Sequence, residues 1–247
     1  MKENILHNLQ IINSRIKNAC ERAGRNPNDV RLLLATKTVS AERIKIALKS
    51  GQNLIAENKV QELKEKYEEL KETPHSNHFI GHLQTNKIKD ILKYDVTCVQ
   101  SVDRLELAEK LHQRLLADNK TLEVLIQVNT SNEESKFGVA PGEAIELTKK
   151  ISGFSTLKIK GLMTIGLFSA ETEQVRKCFK ILKNLQQEII HENIPNVEMN
   201  ELSMGMSGDL ETAIEEGATL VRVGTAVFGT RIYPDSYYWD EETKESK

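Results

Sequence analysis

The stretch VRLLLATKTVSAERIKIALKSG, residues 30–51, contains one complete strand-and-helix unit. The apolar run at residues 32–35 is typical of a buried strand, and residues 40–51 repeat apolar side chains at helical spacing. Between the predicted strand and the predicted helix, the apolar segment ends on Lys37, whose ammonium group is strongly hydrated. The turn ATKTVSAERI has no glycine, so it lacks the Gly-rich fingerprint of dinucleotide-binding sheets.

Similar units recur along the chain. Short apolar runs separated by stretches of helical spacing lie at residues 30–36, 53–57, 78–81, 95–101, 122–129, 157–165, 197–204 and 219–224. This alternation predicts parallel strands joined by crossover helices. Eight such units in a chain of 247 residues match the size of a (β/α)8 TIM barrel. An open doubly wound sheet is the less favoured alternative, because the glycine fingerprint is absent.

The N-terminal segment precedes the first of these units. Its apolar residues lie on one face of a helix, at Ile5, Leu9, Ile12, Ile16 and Ala19. We therefore expect an extra helix before the first strand. No linker rich in Pro, Ser or Gly interrupts the repeat, which predicts a single domain over residues 1–235 and a polar tail at residues 236–247.

Composition and net charge argue against several classes of function. The net charge is -2 without a basic tract, which argues against nucleic-acid and membrane-surface binding. No segment approaches the roughly 20 apolar residues of a membrane span or forms a signal peptide. Three cysteines far apart in sequence favour a reducing compartment, so we expect a cytoplasmic protein. The histidines of HSNHF (75–79) have no third ligand at metal spacing, and no metal site is expected.

Two glycine-containing loops follow the seventh and eighth predicted strands. They are SMGMSGD (203–209) and VGTAVFG (223–229). Barrels often bind phosphate with the loops at these two positions. The hydroxyls of Ser203, Ser207 and Thr225, together with Gly224, make a phosphate site the favoured reading over simple turns.

Lys37 ends the first predicted strand, and Arg222 interrupts the apolar run of the last one. Burial lowers the pKa of a lysine, and a neutral amine can attack an aldehyde, although Lys37 could instead be an ion-pair partner. Arg222 should point into the barrel, where it needs either a salt bridge, for example to Glu201, or an acceptor on a ligand. An amine opposite a phosphate site suits pyridoxal 5'-phosphate, or a phosphorylated sugar in an aldolase.

Several longer strings carry a family resemblance. LLLATKTVS, IAENKVQEL, FIGHLQTNK, VLIQVNTSNEESKFG and ELSMGMSGDLETAIEEGATLVRVGTAVFGTR occur in this order between residues 30 and 231. Together they resemble the YggS/PROSC family of pyridoxal-phosphate-binding proteins. That family is similar to the barrel domain of alanine racemase, a fold type III protein, so the resemblance also implies a TIM barrel.

The resemblance implies roles for individual residues. Lys37 would form the Schiff base with pyridoxal 5'-phosphate, and Arg222 would contact the pyridine nitrogen. The phosphate would lie at Ser207, Gly224 and Thr225. Three further residues on matching strings are expected to line the pocket, namely Asn58, His82 and Met204.

The resemblance also implies a function, which is to hold pyridoxal 5'-phosphate and release it to apo-enzymes that use it, without a dedicated catalytic substrate. A racemase-like enzyme is the alternative. The racemase has a tyrosine one helical turn after its lysine, where this chain has Ala41, and a second domain that the 16 residues after Arg231 cannot build. His82 is the one candidate for a second base. Without that domain's contacts, a monomer is expected.

Overall fold

The computed structural model describes residues 2–167, 169 and 171–229. The strands are β1 Arg31–Ala35, β2 Leu54–Glu57, β3 Ser76–Phe79, β4 Val96–Val102, β5 Leu122–Gln127, β6 Leu157–Met163, β7 Val197–Ser203 and β8 Leu220–Val223. The helices are α1 Lys2–Arg22, α2 Ala41–Lys49, α3 Val60–Leu70, α4 Ile88–Lys93, α5 Leu105–Ala117, α6 Ala144–Ser152, α7 Thr172–His191, α8 Leu210–Glu215 and α9 Thr225–Phe228. The expected tail at residues 236–247 lies outside the described residues.

The eight strands form a closed parallel barrel in sequence order. β1 pairs with β8 and closes the sheet, with Leu33 opposite Arg222. The predicted TIM barrel is therefore confirmed. β3 begins two residues earlier than its apolar run, because Ser76 and Asn77 join the ladder with β2 through their backbones. Backbone pairing of this kind leaves no trace in a hydrophobicity pattern.

Alternation along the strands separates the barrel lumen from the outer core. Small apolar clusters fill the lumen, one of them built from Leu33, Leu54, Ala56 and Leu220. The larger core lies between the sheet and the helices and contains Leu34 and Ile55, the neighbours of these residues in sequence. Since successive strand residues point to opposite faces, the positions after β1 that continue the inward series are 35 and 37.

α1 covers the barrel where the helix after β8 is only one turn long. Its predicted apolar stripe is buried, and each aliphatic side chain in it contributes roughly 1.5–3 kcal/mol. The helix packs against α2, α8 and α9, and the Asn8 side-chain amide donates to the Val227 carbonyl oxygen at 3.0 Å. The extra N-terminal helix thus completes the outer layer of the barrel.

The N-terminal end of the barrel is closed by ion pairs. Arg31 pairs with Glu201 at 2.5 Å, and Lys160 lies 2.9 Å from Glu198. These contacts leave the opposite end, where β1–β8 finish, as the mouth. Within the part of the chain that the structure describes, no helix is long and apolar enough to cross a membrane.

Candidate functional site

Lys37 lies just after β1 at the mouth of the barrel and is half-buried. It continues the inward-facing series of β1, two residues beyond Ala35. The next residue, Thr38, has φ 65°, in the left-handed region that a β-branched residue rarely adopts. The chain therefore turns sharply immediately after Lys37.

Asn58 occupies the corresponding position on the neighbouring strand. Ala35 of β1 pairs with Ala56 of β2. Lys37 lies two residues beyond Ala35, and Asn58 lies two residues beyond Ala56. The Asn58 side-chain oxygen Oδ1 is buried and has no hydrogen-bond partner among the described residues. Gly81, at the end of β3, packs so closely that a Cβ there would lie 2.0 Å from the Asn58 carbonyl oxygen. An unsatisfied amide oxygen beside Lys37 marks a place for a polar ligand.

Arg222 lies in the lumen and is 5% exposed. Its guanidinium donates to Ser203 Oγ and to the Thr164 carbonyl oxygen, both at 2.8 Å. Burial lowers the pKa of Arg222 to about 10, against the opposing charge of Asp209, so the group stays protonated at neutral pH. The ion pair with Glu201 that the sequence left open is not formed, because Glu201 binds Arg31 at the other end of the barrel.

A chain of neutral groups continues from Arg222 across the lumen. The Ser203 hydroxyl donates to Gln100 Oε1 at 2.6 Å, and Gln100 Nε2 lies 2.7 Å from His78 Nδ1. Burial lowers the pKa of His78 to about 3, so the ring is neutral and Nδ1 can accept the amide hydrogen. These partners fix the guanidinium without neutralising it. Sequence reasoning missed His78 and Gln100, although each is a polar residue at a buried position of a predicted strand.

The loops after β7 and β8 meet at the mouth. Thr225 Oγ1 lies 3.5 Å from Ser207 Oγ, so the structure brings two of the predicted phosphate-site hydroxyls together. A Cβ at Gly224 would lie 2.8 Å from the Ala35 carbonyl oxygen, which explains why only glycine fits beside β1. Ser203 differs from the expectation, since its hydroxyl faces the lumen and binds Arg222 instead of the loop.

α1 supports the first of these loops from outside. Arg15 donates to the Ser207 carbonyl oxygen at 3.0 Å and forms two hydrogen bonds with Glu211 of α8. The Glu211 carboxylate raises the pKa of Arg15 further above its ordinary value, and Arg15 in turn lowers the pKa of Glu211. The extra helix therefore holds the loop that carries Ser207.

His82 and Met204 occupy different surroundings. His82 follows β3, and its ring stacks on Phe137 with centroids 3.9 Å apart and planes inclined by 18°. Its Nδ1 lies 3.9 Å from an Asp103 carboxylate oxygen. Met204 is fully buried in the outer core, in the cluster that includes Leu210. The Met204 side chain thus supports the β7 loop from behind.

Two other lysines, Lys136 and Lys160, are alternatives to Lys37 as the reactive amine. Lys160 lies near the N-terminal end of the barrel, where hydrogen bonding to Glu198 raises its pKa. Lys136 donates to the Gly166 carbonyl oxygen at 2.7 Å and also pairs with Glu133. The raised pKa keeps the Lys160 amine protonated, which lowers its reactivity toward an aldehyde, and the Lys136 amine is already bound to a carbonyl oxygen and a carboxylate.

The residues at the mouth suit one kind of ligand. They combine an amine, a guanidinium whose described hydrogen bonds go to neutral groups, a buried amide oxygen without a partner among the described residues, and two hydroxyls beside a glycine. A small planar molecule with an aldehyde, a ring acceptor and a phosphate would satisfy these groups. Among the described residues, no three His, Cys, Asp or Glu side chains are grouped to hold a metal ion.

Comparison with known proteins agrees with this chemistry. The family model described as alanine racemase, N-terminal domain, matches residues 3–232. The chain belongs to this family. Within the family, it is 44% identical to a pyridoxal phosphate homeostasis protein of Aquifex aeolicus, over 93% of this chain and all of the relative. A relative of the same name from Escherichia coli K12 is 38% identical over 93% of this chain and 97% of its own length. The family resemblance inferred from the motifs is confirmed.

Two solved structures share the fold of this chain. PipY of Synechococcus elongatus, whose structure has PLP bound, superposes with a TM-score of 0.76 at 29% identity, covering 87% of this chain and all of PipY. Alanine racemase of Clostridium difficile superposes with a TM-score of 0.74 at 15% identity, covering 94% of this chain and 58% of the racemase. The racemase likeness concerns the fold alone.

Proposed function

We propose that this family member binds pyridoxal 5'-phosphate at the barrel mouth and serves in pyridoxal phosphate homeostasis in the cytoplasm. The cofactor is held covalently, as a Schiff base with Lys37. It is released to free amines or to apo-enzymes that require it, and the protein has no dedicated catalytic substrate. The protein acts as a monomer.

The observation that carries the proposal is the setting of Arg222. A buried guanidinium normally requires a carboxylate, yet its described hydrogen bonds go to a hydroxyl and a carbonyl oxygen. A pyridine nitrogen is an acceptor that such a cation would bind. Because the guanidinium is a permanent donor, it keeps that nitrogen unprotonated.

The other predicted residues receive roles from their positions. Ser207, Gly224 and Thr225 bind the phosphate, since the Ser207 and Thr225 hydroxyls meet at the mouth beside Gly224, which packs closely against β1. Asn58 contributes its unsatisfied amide oxygen near the aldehyde end. His82 lines the ring side, and Met204 supports the phosphate loop from the outer core.

Arg222 also argues against efficient amino-acid chemistry. When bound, pyridoxal phosphate supplies an aldehyde and an electron-accepting ring, and the ring accepts electrons best when its nitrogen is protonated. A guanidinium at that nitrogen favours holding and transfer over carbanion chemistry. The alternative is a racemase-like enzyme in which Lys37 and His82 move protons on opposite faces. An aldolase would share Lys37 and the phosphate site but would give Arg222 no acceptor.

Two measurements on the purified protein test the proposal. Titration with pyridoxal 5'-phosphate should give the visible absorbance of a Schiff base in the wild type and none in Lys37→Ala, which should retain weaker, phosphate-anchored binding. In heavy water, a panel of amino acids should show no deuterium exchange at Cα. Exchange that requires both Lys37 and His82 would support the racemase instead, and absence of the absorbance in the wild type would refute the covalent holding.

A further inference from the structure

A buried ionic cluster lies behind Lys37, on the outer side of β2. Its members are Lys66 and Glu62 of α3 and Glu57 at the end of β2. Lys66 is 8% exposed, and its ammonium group lies 2.7 Å from Glu57 Oε1 and 2.5 Å from Glu62 Oε2. The reactions assigned to the barrel mouth use none of these three side chains.

The cluster binds the main chain on both sides of Lys37. Lys66 Nζ donates to the Thr36 carbonyl oxygen at 2.8 Å, and the Thr38 N–H donates to Glu62 Oε2 at 2.6 Å. These two groups belong to the peptide units immediately before and after Lys37. Lys66 and Glu62, which form a salt bridge with each other, therefore hold the two peptide units that orient the Lys37 side chain.

The backbone at Thr38 requires stabilising contacts. Thr38 has φ 65°, a conformation that is costly for a β-branched residue. Such a conformation persists only when surrounding contacts determine it. Glu62 supplies one such contact at the Thr38 N–H, and the Thr36 hydroxyl supplies another by donating to Glu57 Oε1 at 2.6 Å.

Stability alone does not account for the cluster. Two carboxylates share one ammonium group, and Glu57 Oε2 is buried without a partner among the described residues. Buried ion pairs are often no more stabilising than well-packed apolar side chains. The space beside the cluster is also incompletely filled, since Glu57, Glu62 and Lys66 line a cavity of about 160 Å³. The charged side chains of the cluster instead fix the backbone geometry around Lys37.

We propose that Glu62 and Lys66 are positioning residues for Lys37. They fix the two adjoining peptide units so that the amine points into the mouth in a reactive orientation. Condensation of this amine with an aldehyde forms a C=N bond and releases one water, and its rate depends on that orientation. The effect on rate rests on the proposed function, whereas the effect on the backbone of residues 36–39 does not.

Glu62→Ala is the primary test, because it removes the acceptor for Thr38 while Lys66 keeps Glu57. Glu65→Ala is the matched control, since Glu65 is an exposed glutamate on the same helix. Amide hydrogen exchange of the unliganded protein should be faster at residues 36–39 in Glu62→Ala and unchanged in Glu65→Ala. In stopped-flow absorbance with pyridoxal 5'-phosphate, Schiff-base formation should slow roughly tenfold to hundredfold in Glu62→Ala alone.

A double variant, Glu57→Gln/Lys66→Met, gives a second test, which removes the fully buried carboxylate and its ammonium partner together and leaves Glu62 as the acceptor for the Thr38 N–H. It should fold, as judged by circular dichroism, and show the same slowing of Schiff-base formation. In a Lys37→Ala background, the affinity for pyridoxal 5'-phosphate should be the same with and without Glu62→Ala, because the phosphate contacts lie elsewhere.

If Glu62→Ala shows the wild-type amide hydrogen exchange at residues 36–39 and the wild-type rate of Schiff-base formation, the positioning role is wrong. If the wild type itself forms no Schiff base, the proposed function fails, and the exchange measurement still decides whether the cluster holds the Lys37 backbone.

Discussion

Two buried cations, Arg222 and Lys66, lie on opposite sides of the sheet and are stabilised in opposite ways. Arg222 in the lumen donates to the Ser203 hydroxyl and the Thr164 carbonyl oxygen, with neutral groups behind them. Lys66 behind the sheet lies between the carboxylates of Glu57 and Glu62. Each is fixed by hydrogen bonds, but only Lys66 has described hydrogen bonds to carboxylates, whereas the Asp209 charge acts on Arg222 without one.

The difference shows how charge compensation assigns a role. A guanidinium held by neutral partners keeps its electrostatic field for a ligand in the lumen. An ammonium group between two carboxylates has little field left, and its hydrogen bonds serve the protein's own backbone. Removing Lys66 should therefore reduce stability, and removing Arg222 should mainly reduce ligand affinity.

The largest effect is expected for Lys66→Ala. Removal of one partner of a buried pair leaves the Glu57 charge uncompensated, which costs roughly 3–5 kcal/mol of the free energy of unfolding. Urea denaturation of the unliganded protein measures this loss. Lys71→Ala is the control, because Lys71 follows the last residue of α3 and forms an exposed pair with Glu68, so its removal should change nothing measurable. Equal stability of the two variants would contradict the structural role of Lys66.

A smaller, pH-dependent effect is expected for Glu57→Gln. Burial raises the pKa of Glu57 to about 7. Between its ordinary pKa and that value the folded protein binds more protons than the unfolded chain, so this carboxyl makes the free energy of unfolding fall as pH rises. Relative to Glu57→Gln, the wild type should lose roughly 2 kcal/mol between about pH 5 and about pH 7.5. A constant difference between the two proteins over this range would contradict the raised pKa.

The smallest of the three effects is expected for Arg222→Met. Loss of a charged hydrogen bond should weaken the binding of pyridoxal 5'-phosphate roughly tenfold to hundredfold, as measured by absorbance titration. Stability should fall less than in Lys66→Ala, since Ser203 still donates to Gln100. Arg31→Met is the matched control, because Arg31 lies at the other end of the barrel and pairs with Glu201. An equal loss of affinity in both variants would contradict a direct contact between Arg222 and the ligand.

The fold was predictable because it follows from local periodicity. Alternating apolar runs and helical stretches gave eight strands, and the stripe of α1 gave the extra helix. Boundaries set by backbone pairing or capping were less accessible. α5, for example, begins at Leu105 with Arg104 in the capping position, and arginine is not among the residue types that signal a helix start.

The candidate site was predictable only in part. Lys37, Asn58, Ser207, Gly224 and Thr225 follow strands, and a barrel brings such positions to one end. The partners of Arg222 were not predictable, because Thr164 and Ser203 come from different strands that only the closed sheet brings together. The cluster at Lys66 was hidden for a similar reason. In the sequence, Lys66 is one of several charged residues in a helix that reads as fully solvated.

The most direct measurement of the central claim is borohydride reduction of the complex with pyridoxal 5'-phosphate, followed by digestion and peptide mass spectrometry. Reduction converts the C=N bond to a stable amine and marks the lysine that formed it. The account predicts the label on Lys37 in the wild type and its loss in Lys37→Ala. A label on Lys66 or Lys136 in the wild type, with Lys37 unmodified, would contradict it.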